Sequence, residues 1–154
     1  MRLRGVTVAA SACLLVAGCT GSSEAPATER GDTEPAVAGL SDWQPPAGAP
    51  EFCTTLAATE HVEQIPDAVG VLLDDPADTQ QAWRLSRSAG ELRDVRDAVR
   101  AEGGHGELAG ALDELVQALS LAASGPLDEE STDRIADGLS DVGRAAQPIC
   151  EFPT

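Results

Sequence analysis

Apolar residues recur at helical spacing through the carboxy-terminal part of the chain. Leu85, Ala89, Leu92, Val95 and Val99 follow one another at steps of four, three, three and four, with Arg87, Glu91, Asp94 and Asp97 off the stripe. Leu108, Leu112, Leu115, Leu119 and Ala122 repeat the pattern, backed by Asp113, Glu114, Gln117 and Ser120, and Ile135, Leu139, Val142, Ala146 and Ile149 form a third stripe. Such spacing places one apolar face on each of three amphipathic helices. No stretch alternates with period two, so no strands are expected. Gly103-Gly104 and Ser124-Gly125-Pro126 stop two of these helices, and Asp75-Pro76-Ala77-Asp78 sets a capping acid before a proline at the first helical position. A less regular first helix runs from about Glu51 to Gln64, with Pro66 breaking it before a short turn through Val69, Leu72 and Leu73. The pattern predicts helices near 50–64, 76–102, 106–123 and 127–147. Short connections make consecutive helices antiparallel, so the expected fold is all-α, a small up-down four-helix bundle over residues 49–154.

The amino-terminal third reads differently. Met1 to Arg4 is a short basic start, and Val6 to Ala17 is a run of twelve uncharged residues, too short to span a hydrocarbon core about 30 Å thick. This is the form of a secretory signal peptide. Its end, Val16-Ala17-Gly18-Cys19, resembles the lipobox of bacterial lipoproteins: an aliphatic residue, two small residues, then cysteine. The resemblance covers about nineteen residues and concerns processing only. It implies that residues 1–18 are removed, that Cys19 becomes a lipidated amino terminus, and that the chain is held at the cell membrane on its extracytoplasmic side. Arg2 and Arg4 are not adjacent, so there is no twin-arginine signal. From Thr20 to Gly48 the chain is rich in Gly, Ser, Pro, Thr, Ala and acids. Such a tract buries too little surface to offset ordering entropy, so residues 19–48 are expected to be a disordered linker with a span of roughly 30 Å. Large apolar groups are few there, and Trp43 is its one aromatic residue. It either docks on the bundle, the favoured reading, or marks a short recognition segment.

With Cys13 removed and Cys19 lipidated, Cys53 and Cys150 remain. In the oxidising compartment that the lipoprotein resemblance implies, they are expected to form one disulfide. In the bundle they would lie at the start of the first helix and the end of the last. Glu51-Phe52-Cys53 and Cys150-Glu151-Phe152 mirror one another there, and both Phe rings are expected to cover the bond.

Composition sharpens this picture. Ala, Leu and Val supply most of the apolar content; there are two Trp, two Phe, no Tyr and no Lys, a usage that looks like that of a GC-rich bacterium. The sequence has 10 basic and 26 acidic residues and a formal net charge of −16. A surface this acidic is repelled by phosphate backbones, which argues against a nucleic-acid partner.

The sequence offers no constellation of catalytic residues. It lacks G-x-S-x-G and S-x-x-K, and the expected disulfide leaves no free thiol. Glu102-Gly103-Gly104-His105 has the E-x-x-H spacing of di-iron bundles but sits on a double glycine, where no helix would hold it. His61, between Glu60 and Glu63, reads as a solvated histidine. No metal or cofactor is therefore expected. Two residues break the helical pattern. Trp83 points about 160° from its stripe at 100° per residue, so that it either packs on the first helix or stands exposed. Arg96 falls on the stripe itself, where it can snorkel to the bundle edge and pair with an acid, or serve a ligand. Both are candidates for an interaction surface. The functional expectation is a non-enzymatic, lipid-anchored binding module for an envelope protein or other envelope component. The alternatives are a small-ligand carrier with a pocket between helices and an accessory subunit of an envelope complex.

Overall fold

A computed structural model describes residues 42–151, which belong to one compact unit. The signal segment 1–18, Cys19, the linker as far as residue 41 and Phe152 lie outside the described residues. Five α-helices follow in order: α1 Glu51–Ala57, α2 Ile65–Asp74, α3 Thr79–Glu102, α4 Gly106–Ala122 and α5 Glu129–Cys150, with a 3-10 turn at Val62–Gln64 between the first two. The described residues contain no strand. No helix among them is long and apolar enough to cross a membrane.

The helix expected at 50–64 is thus two helices separated by a bend. After Ala57 the amides of Glu60 and His61 leave the helical ladder and are taken up by the Glu91 carboxylate on α3, at 3.1 and 2.9 Å. Pro66 does not break a helix but opens α2, within whose first turn an amide hydrogen is not needed. The start of α3 also differs from the expected position, at Thr79 rather than Pro76. Asp78 is the cap, its carboxylate accepting from the amides of Gln80 and Gln81, while Asp75 folds the preceding turn by accepting from Ala77. α5 begins at Glu129 behind Asp128. Hydrogen bonds from the Ser131 hydroxyl and then the Ser131 amide hold the Asp128 carboxyl below the usual carboxylate range. The helix continues through Pro148 to Cys150, past the expected end at 147, because the ring falls in the final turn. Glu151 closes it in the left-handed region, at φ 51°.

The three stripes form the core. Leu85, Leu92, Leu112, Leu115 and Leu119 are fully buried, together with Phe52, Val62 and Ile65 from the amino-terminal elements. Trp43 packs against this core, as the favoured reading of that residue anticipates. α3 is the organising helix, packing against α1, α2 and α4, and α5 packs on the far side of α4. At one end of the bundle Cys53 and Cys150 are bonded, with a Cα–Cα distance of 5.6 Å across 97 positions of sequence. α1 and α5 meet there but share no extended seam. Phe52, fully buried beside Cys53, sets its ring edge-on to His105 at 5.0 Å. The Glu102 carboxylate accepts from the Phe52 amide at 3.0 Å, and so caps α1 from another helix.

α4 and α5 come closest at Gly138. A Cβ there would stand 3.2 Å from both Cβ and Cδ1 of buried Leu115, and 3.4 Å from its Cα. Gly110 on α4 has open space where its Cβ would be. Gly138→Val should therefore force α4 and α5 apart and destabilise the domain by about 1–3 kcal/mol. Gly110→Ala should stabilise it by about 0.5–1 kcal/mol through helix propensity alone. Urea unfolding of the two variants checks the opposite signs.

Candidate functional site

Trp83 occupies the second turn of α3 with its side chain turned from the core, and it is 54% exposed. It is nevertheless held in place. The imidazole of His61 meets its ring edge-on, with centroids 5.4 Å apart, and the guanidinium carbon of Arg87 lies 5.9 Å from the ring centroid. His61 is anchored in turn, its Nδ1 2.6 Å from Glu91 Oε1, with side-chain exposures of 15% and 18% for the pair. Glu91 thus receives three contacts from the bend between α1 and α2: the ring of His61 and the amides of Glu60 and His61. Ser88, 1% exposed and one turn before Glu91, donates to the main-chain oxygen of His61 at 3.0 Å. Ser88, His61 and Glu91 are the residue types of a nucleophilic triad, but this hydroxyl faces a carbonyl rather than the imidazole, so the geometry describes a clasp. The two alternatives left open for Trp83 are both partly realised: the indole is exposed, yet its edge packs on the segment that follows α1.

Arg96 has a different role. Its side chain is 17% exposed, and its guanidinium donates to Asp97 at 2.7 Å and to Asp113 of α4 at 3.1 Å, while Arg100 pairs with the second Asp113 oxygen. The hydrogen bonds that Arg96 donates to Asp97, and further contacts with Asp113, raise the Arg96 pKa above the ordinary arginine value. The group fastens α3 to α4 and leaves no free fork for a ligand. Sequence reasoning could place Arg96 at the edge of the stripe, but its main partner on α4 is a tertiary fact.

Glu102 and His105, the E-x-x-H pair, are occupied with Phe52 as described, one through its carboxylate and the other through its ring. Between them Gly103 and Gly104 adopt φ of 74° and 81°, which side chains other than glycine rarely allow. Among the described residues no group of three or more His, Cys, Asp or Glu side chains could hold a metal ion.

Clefts open on the surface of the described residues. One, of about 320 Å³, lies at the bundle end opposite the disulfide, between Leu72, Pro76, Ala82, Ala122 and Pro126. Another, of about 460 Å³, runs between α4 and α5. Sequence reasoning located neither. The signal for the α4–α5 cleft was the row Glu114, Gln117, Ala118, Leu121 facing Arg134, Asp137, Gly138, Asp141, both at helical spacing.

The chain matches no protein-family model, no curated protein and no solved structure.

Proposed function

We propose that this chain is a lipid-anchored extracytoplasmic binding module, without catalysis of its own, which engages an envelope protein through the face centred on Trp83. The observation that carries this reading is an indole more than half exposed yet braced by His61 and Arg87. A rigid, solvent-facing aromatic loses little conformational entropy on binding and offers a large contact area, which is why such residues dominate interface energetics. The Ser88–His61–Glu91 arrangement is structural, and Arg96 is committed to carboxylates. Both clefts are open, the one between α4 and α5 lined largely by charged side chains and the other by small and apolar ones, and neither is the enclosed apolar pocket of a small-ligand carrier. In this reading α1 and α2 together take one place in an up-down arrangement of four, and Cys19 supplies the tether through its lipid.

The test exchanges Trp83 for a photoreactive phenylalanine derivative in the full chain, expressed in a bacterium that processes lipoproteins. A discrete protein adduct in the membrane fraction is expected, together with loss of lipid labelling and of precursor cleavage in Cys19→Ala. Unchanged labelling in Cys19→Ala overturns the anchor. Absence of any adduct at Trp83 overturns the binding face.

A further inference from the structure

The cleft between α4 and α5 has the dimensions and charge of a second docking surface. Each wall is one face of a helix with positions at i, i+3, i+4 and i+7: Glu114 to Leu121 on one side and Arg134 to Asp141 on the other. Seven residues of rise make the cleft about 10 Å long, two helical turns. The close approach at Gly138 keeps the floor small, formed by Gly138 and Ala118, with exposed Leu121 at one end. The volume of about 460 Å³ admits side chains but not a whole helix.

Its electrostatics are one-sided. Among the described residues neither Glu114 nor Asp137 has a hydrogen-bond or ion-pair partner, whereas Arg134 is drawn away to Glu130 and Asp141 is paired with Arg144. From Gly106 to Cys150 the chain carries nine carboxylates and only those two arginines. α3, by contrast, carries Arg84, Arg87, Arg93, Arg96 and Arg100 against four carboxylates. A second copy would have to present α3, but its Arg96 and Arg100 are bound to Asp113 and its Arg87 lies over Trp83. The two that remain, Arg84 and Arg93, are nine positions apart and so lie on opposite sides of the helix, and no row of free arginines is left on it.

We propose that this cleft receives side chains from one face of a basic amphipathic helix of a partner protein lying across its mouth, with an apolar side chain over Ala118 and Leu121 and flanking arginine or lysine residues at Glu114 and Asp137. Two parallel rows at helical spacing match the periodicity of such a segment, and the two uncompensated carboxylates select its charge. The inference rests on the reading of the chain as a binding module and names the partner chemistry for a face other than that of Trp83.

The experiment titrates the full chain, ¹⁵N-labelled in mild detergent, with a synthetic helical peptide that bears leucine at its centre and arginine one turn to either side. Saturable shifts centred on Gln117, Ala118 and Gly138 are expected. Affinity should fall by about tenfold or more in E114Q/D137N and at high salt. Both substitutions are at exposed positions, and unchanged circular dichroism establishes that the fold is retained. Trp83→Ala should bind as the parent does. Equal binding by E114Q/D137N, equal binding of a glutamate-for-arginine peptide, or shifts confined to α3 would overturn the proposal. So would the same shifts on adding calcium chloride alone, which mark a cation site, or on raising protein concentration, which mark self-association. Failure of the peptide with the Trp83 adduct intact removes this proposal and leaves the binding-module reading standing.

Discussion

Reduction of the Cys53–Cys150 bond should lower the stability of the domain by about 4–5 kcal/mol. The bond closes a loop of 97 positions, and the loss follows from the entropy that the opened unfolded chain regains. A domain of this size has about 5–15 kcal/mol in all, so Cys53→Ser with Cys150→Ser should bring the thermal midpoint down by about 15 °C or more. Helical circular dichroism at low temperature should nevertheless persist, since the stripes on α3, α4 and α5 pack without help from the bond. The oxidised protein should carry no free thiol at either position, and its mass should be lower by two hydrogens than that of the reduced form. Ready alkylation of both thiols in protein taken from its native compartment would contradict the meeting of α1 and α5.

The second large effect is expected at Phe52. α1 has only seven residues, too few to be stable alone, and Phe52 is its largest fully buried side chain. Phe52→Ala should cost about 3–5 kcal/mol by removing the ring and leaving a cavity next to His105. The disulfide acts chiefly on the unfolded state and the ring on the native state. Although Phe52 and Cys53 are neighbours, the two losses should add to within about 0.5 kcal/mol if the bond acts on the unfolded chain alone, as urea unfolding of Phe52→Ala with and without the bond will measure. A larger deviation would mean that the bond works by holding Phe52 in place.

The parts of the fold that repeat locally were legible in the sequence. The expected limits of the third helix, 106–123, differ from α4 by a single residue, and every leucine and valine of the three stripes is buried. What could not be read depends on residues far apart in the chain. The bend after Ala57 is fixed by Glu91, thirty positions on, so the local pattern of residues 50–64 still reads as one helix. Ser88 lies on the buried side of α3 although a hydropathy stripe counts it as polar, because His61 offers it a carbonyl. The reading of Asp75 as the cap, where Asp78 is the cap, fails for a different reason: both carboxylates accept main-chain amides, one in a turn and one in the helix. Trp83 was visible as an irregularity, whereas its bracing by His61 and Arg87 needed the folded chain. The α4–α5 cleft needed the helix pair, since neither row means anything without the other.

The carboxylates that α3 lends to α1 and to the bend have a consequence for hydrogen exchange. The amide of Phe52, in the first turn of α1, and those of Glu60 and His61, in the bend that follows, depend on the Glu102 and Glu91 carboxylates rather than on a helical carbonyl. Fraying of α1 or of the 3-10 turn does not by itself release them. The part-buried amides of Phe52 and His61 should therefore exchange when the amino-terminal segment lifts from α3, and these two protons report the undocking of one part of the molecule from another rather than the loosening of a helix end.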